Sequence, residues 1–181
     1  MFVFTDGGCI GNGKSHAKAS YAIYINNIII RGSVMPYEYI YESELLTYTD
    51  KKINPSNNRG ELLSIIMAFI EILKNDEFEF IVYSDSQICV KTINEWYPNR
   101  LRKGTTHELK NFDLVKIMMQ LYDKIKINKK IEIIHTRGHQ KITDSMSIEK
   151  KNIIIGNSIV DKYASEVLQM KELINYEIIE L

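Results

Sequence analysis

Short apolar segments separated by polar turns run along the whole chain, and their lengths and periods are typical of an α/β protein. Predicted strands, which are rich in β-branched and aromatic residues, cover Phe2–Thr5, Ser20–Ile25, Ile28–Val34, Phe78–Ser84 and Lys130–Thr136. Four helices are predicted, over Glu61–Lys74, Ser86–Trp96, His107–Lys126 and Ser158 to about Lys171. The first is apolar nearly all round, as in a buried helix, and the third has apolar residues at helical spacing. The order βββαβααβα predicts one α/β domain with a mixed sheet, in which later strands return through helices.

The segments between these elements carry turn chemistry or show no stable period. Asp6-Gly7-Gly8 predicts a turn that stops the first strand, and Asn26-Asn27 predicts a two-residue hairpin turn. The Tyr-rich stretch Met35–Ser56 is predicted to be an irregular insertion with one short helix. We predict an exposed basic loop over Tyr97–Thr106 and a long loop over Arg137–Gly156.

Composition narrows the classes of protein without identifying one. The 181 residues suit a single domain with a real hydrophobic core, and 23 basic residues balance 23 acidic ones. A neutral chain has no global attraction to nucleic acid, so such binding would need a local basic patch. Two isolated cysteines, Cys9 and Cys89, indicate reduced thiols in an intracellular protein, in the cytoplasm or a nucleus. The chain has no signal peptide and no apolar run near the roughly 20 residues that cross a bilayer, so no membrane association is expected.

Four carboxylates lie at the ends of predicted elements: Asp6, Glu61, Asp85 and Asp161. Each has a local explanation. Glu61 fits a capping box with an N-cap at Asn58, and Asp161 fits one with Ser158. Asp6 fits a turn, and Asp85 fits the N-cap of the following helix.

Taken together, the four acids suggest chemistry. Asp6 and Asp85 follow inner strands, and open α/β sheets bind ligands at the carboxyl ends of their strands. Carboxylates gathered there repel one another unless a cation lies between them, and Mg²⁺ prefers such oxygen ligands. Two ions about 4 Å apart can activate a water and stabilise the leaving oxygen of a phosphodiester. The sequence therefore favours Mg²⁺ chemistry on a phosphate backbone.

Five motifs, in order, resemble those of type 1 ribonuclease H. They are TDGGCIGNG (Thr5–Gly13), NNRGEL (Asn57–Leu62), YSDSQ (Tyr83–Gln87), HTRGH (His135–His139) and GNSIVDKYA (Gly156–Ala164), and KNFDLV (Lys110–Val115) is similar to a sixth segment. The resemblance covers Phe2 to about Leu168.

The resemblance implies a five-stranded mixed sheet of order 3-2-1-4-5 with helices on both faces. It implies endonucleolytic cleavage of the RNA strand of RNA–DNA hybrids with two Mg²⁺ ions, with Mn²⁺ as a substitute. Asp6, Glu61, Asp85 and Asp161 match the metal ligands. His139 matches a mobile histidine that assists proton transfer or product release.

Further positions match substrate contacts of the family. Small polar groups that read 2′-hydroxyls in the hybrid groove are expected at Cys9, Asn12, Asn58 and Gln87. Ser56 and Asn57, with Arg59 as a weaker candidate, match a phosphate pocket for the DNA strand. Arg100, Arg102 and Lys103 supply the local basic patch, with Trp96 at its base; a solvated surface charge run is the alternative.

The chain departs from the family pattern in two long insertions, at about 32–56 and 140–155, within an expected single domain over 1–181. We expect a stand-alone monomer with no obligate protein partner and no preceding hybrid-binding module. Three alternatives stay open: a DNA-cleaving nuclease of the same superfamily such as a junction resolvase, a catalytically dead nucleic-acid-binding domain, and a domain of a reverse transcriptase.

Overall fold

A computed structural model describes all 181 residues of the chain. The strands are β1 (Phe2–Ile10), β2 (Lys18–Ile25), β3 (Ile28–Ser33), β4 (Tyr37–Glu42), β5 (Leu45–Lys52), β6 (Glu79–Ser84), β7 (Lys130–His135) and β8 (Glu177–Glu180). The helices are α1 (Asn57–Lys74), α2 (Gln87–Lys91), α3 (Tyr97–Lys103), α4 (Phe112–Asn128) and α5 (Ile148–Leu168). None of the helices is both long and apolar enough to span a bilayer.

Six strands form the main sheet in the order β7-β6-β1-β2-β3-β8. β1 pairs in parallel with β6, and β6 with β7, whereas the β1–β2–β3 meander is antiparallel. The expected order 3-2-1-4-5 is therefore confirmed, with β6 and β7 as its fourth and fifth strands. The sixth strand, β8, was not expected; it pairs antiparallel with β3 and covers that edge of the sheet.

Helices cover both faces of this sheet. α1 and α4 pack on one face, where 29 buried residues form the larger core. α5 packs on the other face against β1 and β2, over a smaller cluster that includes Phe4, Tyr83 and Val160. The predicted hairpin turn at Asn26-Asn27 is confirmed, because both residues take positive φ values of 49° and 62°.

The first strand does not stop at Asp6-Gly7-Gly8, as the turn chemistry predicted. β1 continues to Ile10, and Gly7 and Gly8 pair with Tyr21 and Ser20 of β2. The glycines permit close approach instead of a turn. A Cβ atom at Gly7 would lie 2.2 Å from the backbone nitrogen of Glu61, so α1 packs directly on the β1 backbone.

The prediction of an irregular insertion with a short helix over Met35–Ser56 was wrong. β4 and β5 form a separate two-stranded hairpin that packs beside α1 and α4. Tyr37 and Tyr48 stack across it with ring centroids 5.3 Å apart. Its turn residues Ser43 and Glu44 take positive φ values of 49° and 63°. Such turns usually carry Asn or Gly, so these two residues carry no recognisable hairpin signal.

Two predicted loops are partly helical. α2 continues through one π-helical turn (Thr92–Trp96) into α3. Pro98 lies in the first turn of α3, where the N–H that proline lacks would have no partner in the helix. α3 ends at Gly104, which takes a positive φ of 69°. α5 begins at Ile148, not near Ser158, because Ser147 caps it by accepting from the Lys150 N–H. The predicted loop over Arg137–Gly156 therefore ends nine residues early, and Asp161 lies in the middle of α5.

Candidate active site

Asp6, Glu61 and Asp85 lie together at one end of the central strands. One carboxylate oxygen from each falls within 4.8 Å of the other two. Parallel pairing matches Thr5 with Ser84, which sets Asp6 beside Asp85 as the next residue on each chain. Glu61 joins them because Gly60 also packs tightly on the meander, where a Cβ atom would lie 2.4 Å from the carbonyl oxygen of Ser20.

Glu61 does not cap its helix, as its place in the sequence suggested. The N-cap of α1 is Ser56, which accepts from the Arg59 N–H at 3.3 Å, and not Asn58. Glu61 is the fifth residue of α1, buried to 6 % exposure. Its Oε2 atom is buried and has no hydrogen-bond partner. A carboxylate oxygen in that state is costly unless a cation is bound to it.

The acidic group strongly favours protonation or cation binding. Burial, together with the charges of Asp85 and Asp161, raises the pKa of Asp6 to about 8. Burial and then the charges of Asp6 and Asp85 raise the pKa of Glu61 well above its usual value. The pKa of Asp85 is also raised, by burial and by Asp161. These shifts share one cause, like charges held together away from water.

Asp161 lies beside this group without joining its closest cluster. Its α5 position faces the site from the other side of the sheet, and its side chain is 41 % exposed. His139 Nδ1 lies 3.7 Å from Asp161 Oδ2, and the His139 side chain is 83 % exposed. His139 also takes a positive φ of 52°, a conformation that few non-glycine residues adopt. The exposed imidazole is therefore held near the acids by its loop and not by packing.

Two residues of the site were missed at the level of sequence. A Cβ atom at Gly138 would lie 2.7 Å from Asp85 Oδ2, so this glycine leaves room for that carboxylate. Asn157, one helical turn before Asp161, is 4 % exposed and its Oδ1 has no hydrogen-bond partner. Both belong to motifs that the resemblance had identified, HTRGH and GNSIVDKYA, and that was the only signal for them.

The donor set fits a hard divalent cation. Three carboxylates on three elements converge, one of their buried oxygens has no partner, and their mutual repulsion would be relieved by positive charge. Oxygen-only ligands of this kind suit Mg²⁺ or Mn²⁺ and exclude a thiolate-type zinc site. Cys89, four residues after Asp85, is fully buried in the core.

Polar residues beside α1 form a second cluster. Asn12 Oδ1 accepts from the Asn57 N–H at 3.2 Å, and Cys9 Sγ lies 3.7 Å from the same oxygen. The structure therefore brings Cys9, Asn12, Ser56 and Asn57 together at the start of α1. Asn58 is half-buried on the same turn, whereas Gln87 is exposed at the first position of α2.

Arg59, the weaker phosphate candidate, is not available for a substrate. Its side chain is 1 % exposed and pairs with Asp113. The phosphate-pocket prediction therefore rests on Ser56 and Asn57.

The basic patch lies on α3 and not on a loop. Trp96, Arg100 and Lys103 line a shallow hollow of about 270 Å³, with Trp96 39 % exposed. Arg100 pairs with Glu108, and Arg102 donates to Asn99 Oδ1. Lys103 has no carboxylate partner and is the freest cation of the three. The hollow combines an aromatic face with positive charge, as a nucleic-acid contact would require.

Comparisons with known proteins agree with this geometry. The sequence profile of RNase H matches residues 1–169. Ribonuclease H of Schizosaccharomyces pombe is 25 % identical over 141 residues, which make up 76 % of this chain and 46 % of that protein. Ribonuclease H of Pseudomonas fluorescens is 36 % identical over 90 residues, 48 % of this chain and 55 % of that protein. This chain thus spans about half the length of both relatives.

A solved structure shares the fold. The crystal structure of LC9-RNase H1, a type 1 RNase H with the type 2 active-site motif, superposes with a TM-score of 0.61 at 16 % identity, covering 99 % of this chain and 76 % of that one. At that identity the likeness concerns the fold alone.

Proposed function

Because the chain belongs to the ribonuclease H family, we propose that it hydrolyses the RNA strand of RNA–DNA hybrids with divalent metal ions held by Asp6, Glu61, Asp85 and Asp161. The observation that carries this proposal is the convergence of three carboxylates within 4.8 Å, with a buried Glu61 oxygen that lacks any partner. An acidic group of this kind costs stability in a protein without ions, and metal binding offsets that cost.

Each acid has its own part in holding the ions. Asp6 and Glu61 are buried and stand on a strand and a helix that pack backbone to backbone, so they are fixed in place. Asp85 and Asp161 are more exposed and face the open side, where a substrate phosphate arrives. Ions bound there would activate the attacking water and stabilise the charge on the leaving oxygen.

His139 handles the proton in this proposal. Its imidazole is 83 % exposed on the open side of the site, and its Nδ1 lies 3.7 Å from Asp161 Oδ2. A protonated imidazole can donate to the leaving oxygen as a general acid. Small polar groups that sense 2′-hydroxyls contact the RNA strand, and they are Cys9, Asn12, Asn58 and Gln87. Ser56 and Asn57 hold the DNA strand at the start of α1.

The direct test is cleavage of an end-labelled 20-base-pair RNA–DNA hybrid with Mg²⁺ and with EDTA. Matched RNA duplex, DNA duplex and four-way DNA junction substrates define the specificity. We expect cleavage of the hybrid alone, in Mg²⁺ alone, and no cleavage by Asp85→Asn. Cleavage of the junction in preference to the hybrid would instead identify a DNA-acting enzyme of the same superfamily. No cleavage of any substrate would favour a binding domain.

A further inference from the structure

A buried ion pair ties the inserted hairpin to the helix that carries Glu61. Arg59 Nη2 donates to Asp113 Oδ2 at 2.7 Å, and Arg59 Nη1 donates to Oδ1 at 2.9 Å. Both side chains are almost completely buried, at 1 % and 8 % exposure. Two-point guanidinium–carboxylate pairing fixes orientation as well as distance.

The same ion pair also forms hydrogen bonds to the backbone of the hairpin. Arg59 Nη2 donates to the carbonyl oxygen of Tyr37 at 3.1 Å, and the Tyr39 N–H donates to Asp113 Oδ2 at 3.0 Å. The Arg59 guanidinium also lies over the Tyr39 ring, 5.8 Å from its centroid. Three elements thus meet at one ion pair: α1, the start of α4, and β4.

Hydrophobic packing already holds the rest of α1, but it does not hold the first turn. Beyond Glu61 the helix buries Leu63, Ile66, Phe69 and Ile72 almost completely. The first turn instead meets the sheet through Gly60, which has no side chain to interlock with its neighbours. The Arg59 side chain is therefore the main anchor next to Glu61, whose free oxygen makes no hydrogen bond of its own.

From this arrangement we infer that Arg59 and Asp113 are positioning residues. Together with the Tyr37–Tyr39 backbone they fix the first turn of α1 and hold the Glu61 carboxylate in register with Asp6 and Asp85. The hairpin β4–β5 then helps to position the active site and is not a peripheral insertion. The inference rests on the proposed function in one respect only, the role of Glu61 as a metal ligand.

A matched pair of single variants separates this role from plain anchoring of the hairpin. Asp113→Asn removes the charge at the ion pair beside Glu61. Glu44→Gln makes the same chemical change in an ion pair that joins the hairpin turn directly to α4, Glu44 to Lys124 at 2.6 Å. We expect Asp113→Asn to weaken Mn²⁺ binding to the folded protein, followed by electron paramagnetic resonance, about tenfold. Glu44→Gln should bind Mn²⁺ like the wild type.

A metal-free measurement keeps the inference separate from the proposed function. In EDTA, native-state hydrogen exchange should be faster in Asp113→Asn at Gly60, Glu61 and Leu62, and in the hairpin, than at Phe69 and Ile72. A purely structural role would instead speed exchange at all these amides together. If wild-type protein binds no Mn²⁺, the proposed function fails, and exchange alone decides the inference.

Should Asp113→Asn not fold, the double variant Arg59→Met, Asp113→Leu replaces the pair with apolar groups, which buried ion pairs often tolerate. The same local loss of protection and weaker Mn²⁺ binding are expected there. Wild-type Mn²⁺ affinity and uniform exchange in either folded variant would overturn the inference.

Discussion

A side chain at Gly138 would collide with the Asp85 carboxylate, since its Cβ atom would lie 2.7 Å from Asp85 Oδ2. The backbone of Gly138 has no positive φ, so alanine is conformationally acceptable there. We therefore expect Gly138→Ala to fold normally, turn the Asp85 carboxylate away and lower kcat about 10- to 100-fold. Steady-state kinetics measures the change in kcat, and a thermal melt shows whether the variant is folded. Wild-type turnover would show that Asp85 tolerates the shift.

Asp6→Asn and Asp85→Asn are each expected to abolish Mg²⁺-dependent cleavage while the protein stays folded. Each substitution removes one proposed metal ligand and one of the charges that raise the pKa of its neighbours. The melting temperature in EDTA should therefore rise and not fall. Cleavage assays and melts of both variants, with Mg²⁺ and with EDTA, test this. Gross unfolding would point to a structural role for these acids.

Stability without metal should depend on pH in the direction opposite to ordinary acid denaturation. Because the pKa of Asp6 is raised from 3.8 to about 8 on folding, the folded state holds a proton that the unfolded state has lost between these values. The free energy of unfolding in EDTA should then fall as pH rises from 5 to 8, by up to about 1.4 kcal/mol per pH unit. Urea titrations measure the slope.

Asp6→Asn is the control, and it should flatten this slope. Asp113 contributes to the pH dependence of stability with the opposite sign. Burial alone would raise its pKa, but hydrogen bonds from Arg59 hold it below 3.8, so its contribution is lost only in more acidic solution. A wild-type slope in Asp6→Asn would place the titration on another group, of which Glu61 is the first candidate.

The basic patch on α3 should affect binding and not the chemical step. Its cations lie on α3, outside the group of acids, and would contact backbone phosphates, where ground state and transition state bind alike. Lys103→Ala should raise KM for long hybrids with kcat unchanged, more than Arg100→Ala does, because Arg100 is already paired with Glu108. The triple variant with Arg102→Ala should reduce the salt slope by up to about 0.9 per lost contact. An unchanged slope would place the patch off the substrate.

His139→Ala should lower kcat about 10- to 100-fold with KM nearly constant, the size of a general acid–base contribution. The acids remain in place, so activity should not vanish. His135 is the internal control: its Nε2 lies 3.1 Å from the backbone oxygen of Asp85, so His135→Ala should lower stability more than kcat. Unchanged turnover of His139→Ala at saturating hybrid near pH 7 would exclude the proton-transfer role.

Much of this protein follows from local sequence. Strand and helix periods were enough to place the five core strands and α1, and the two-asparagine turn predicted its hairpin correctly; the order of the strands in the sheet came from the family resemblance. The acids that converge at the site were also singled out in the sequence, because each one lies at or near the end of a predicted element. The positions of these elements depend on short-range periodicity and turn chemistry, which residues close in sequence determine.

Other features depend on contacts between distant segments, and local sequence carries no signal for them. Gly7 and Gly8 have the composition of a turn but lie in a strand, because α1 and α5 press against the backbone there. The hairpin β4–β5 has no turn signal, and β8 forms only because β3 offers it an open edge, with Arg31 bonded to Glu177 at 2.7 Å.

The burial of Arg59 shows the same division at a single residue. Its neighbours in sequence suggested a phosphate contact, whereas Asp113, more than fifty residues away, takes the guanidinium into the core. The sequence by itself determined which residue types reach the site and on which elements they stand. Tertiary structure decided which charges are paired, buried or free, because desolvation and pairing depend on partners that only folding brings together.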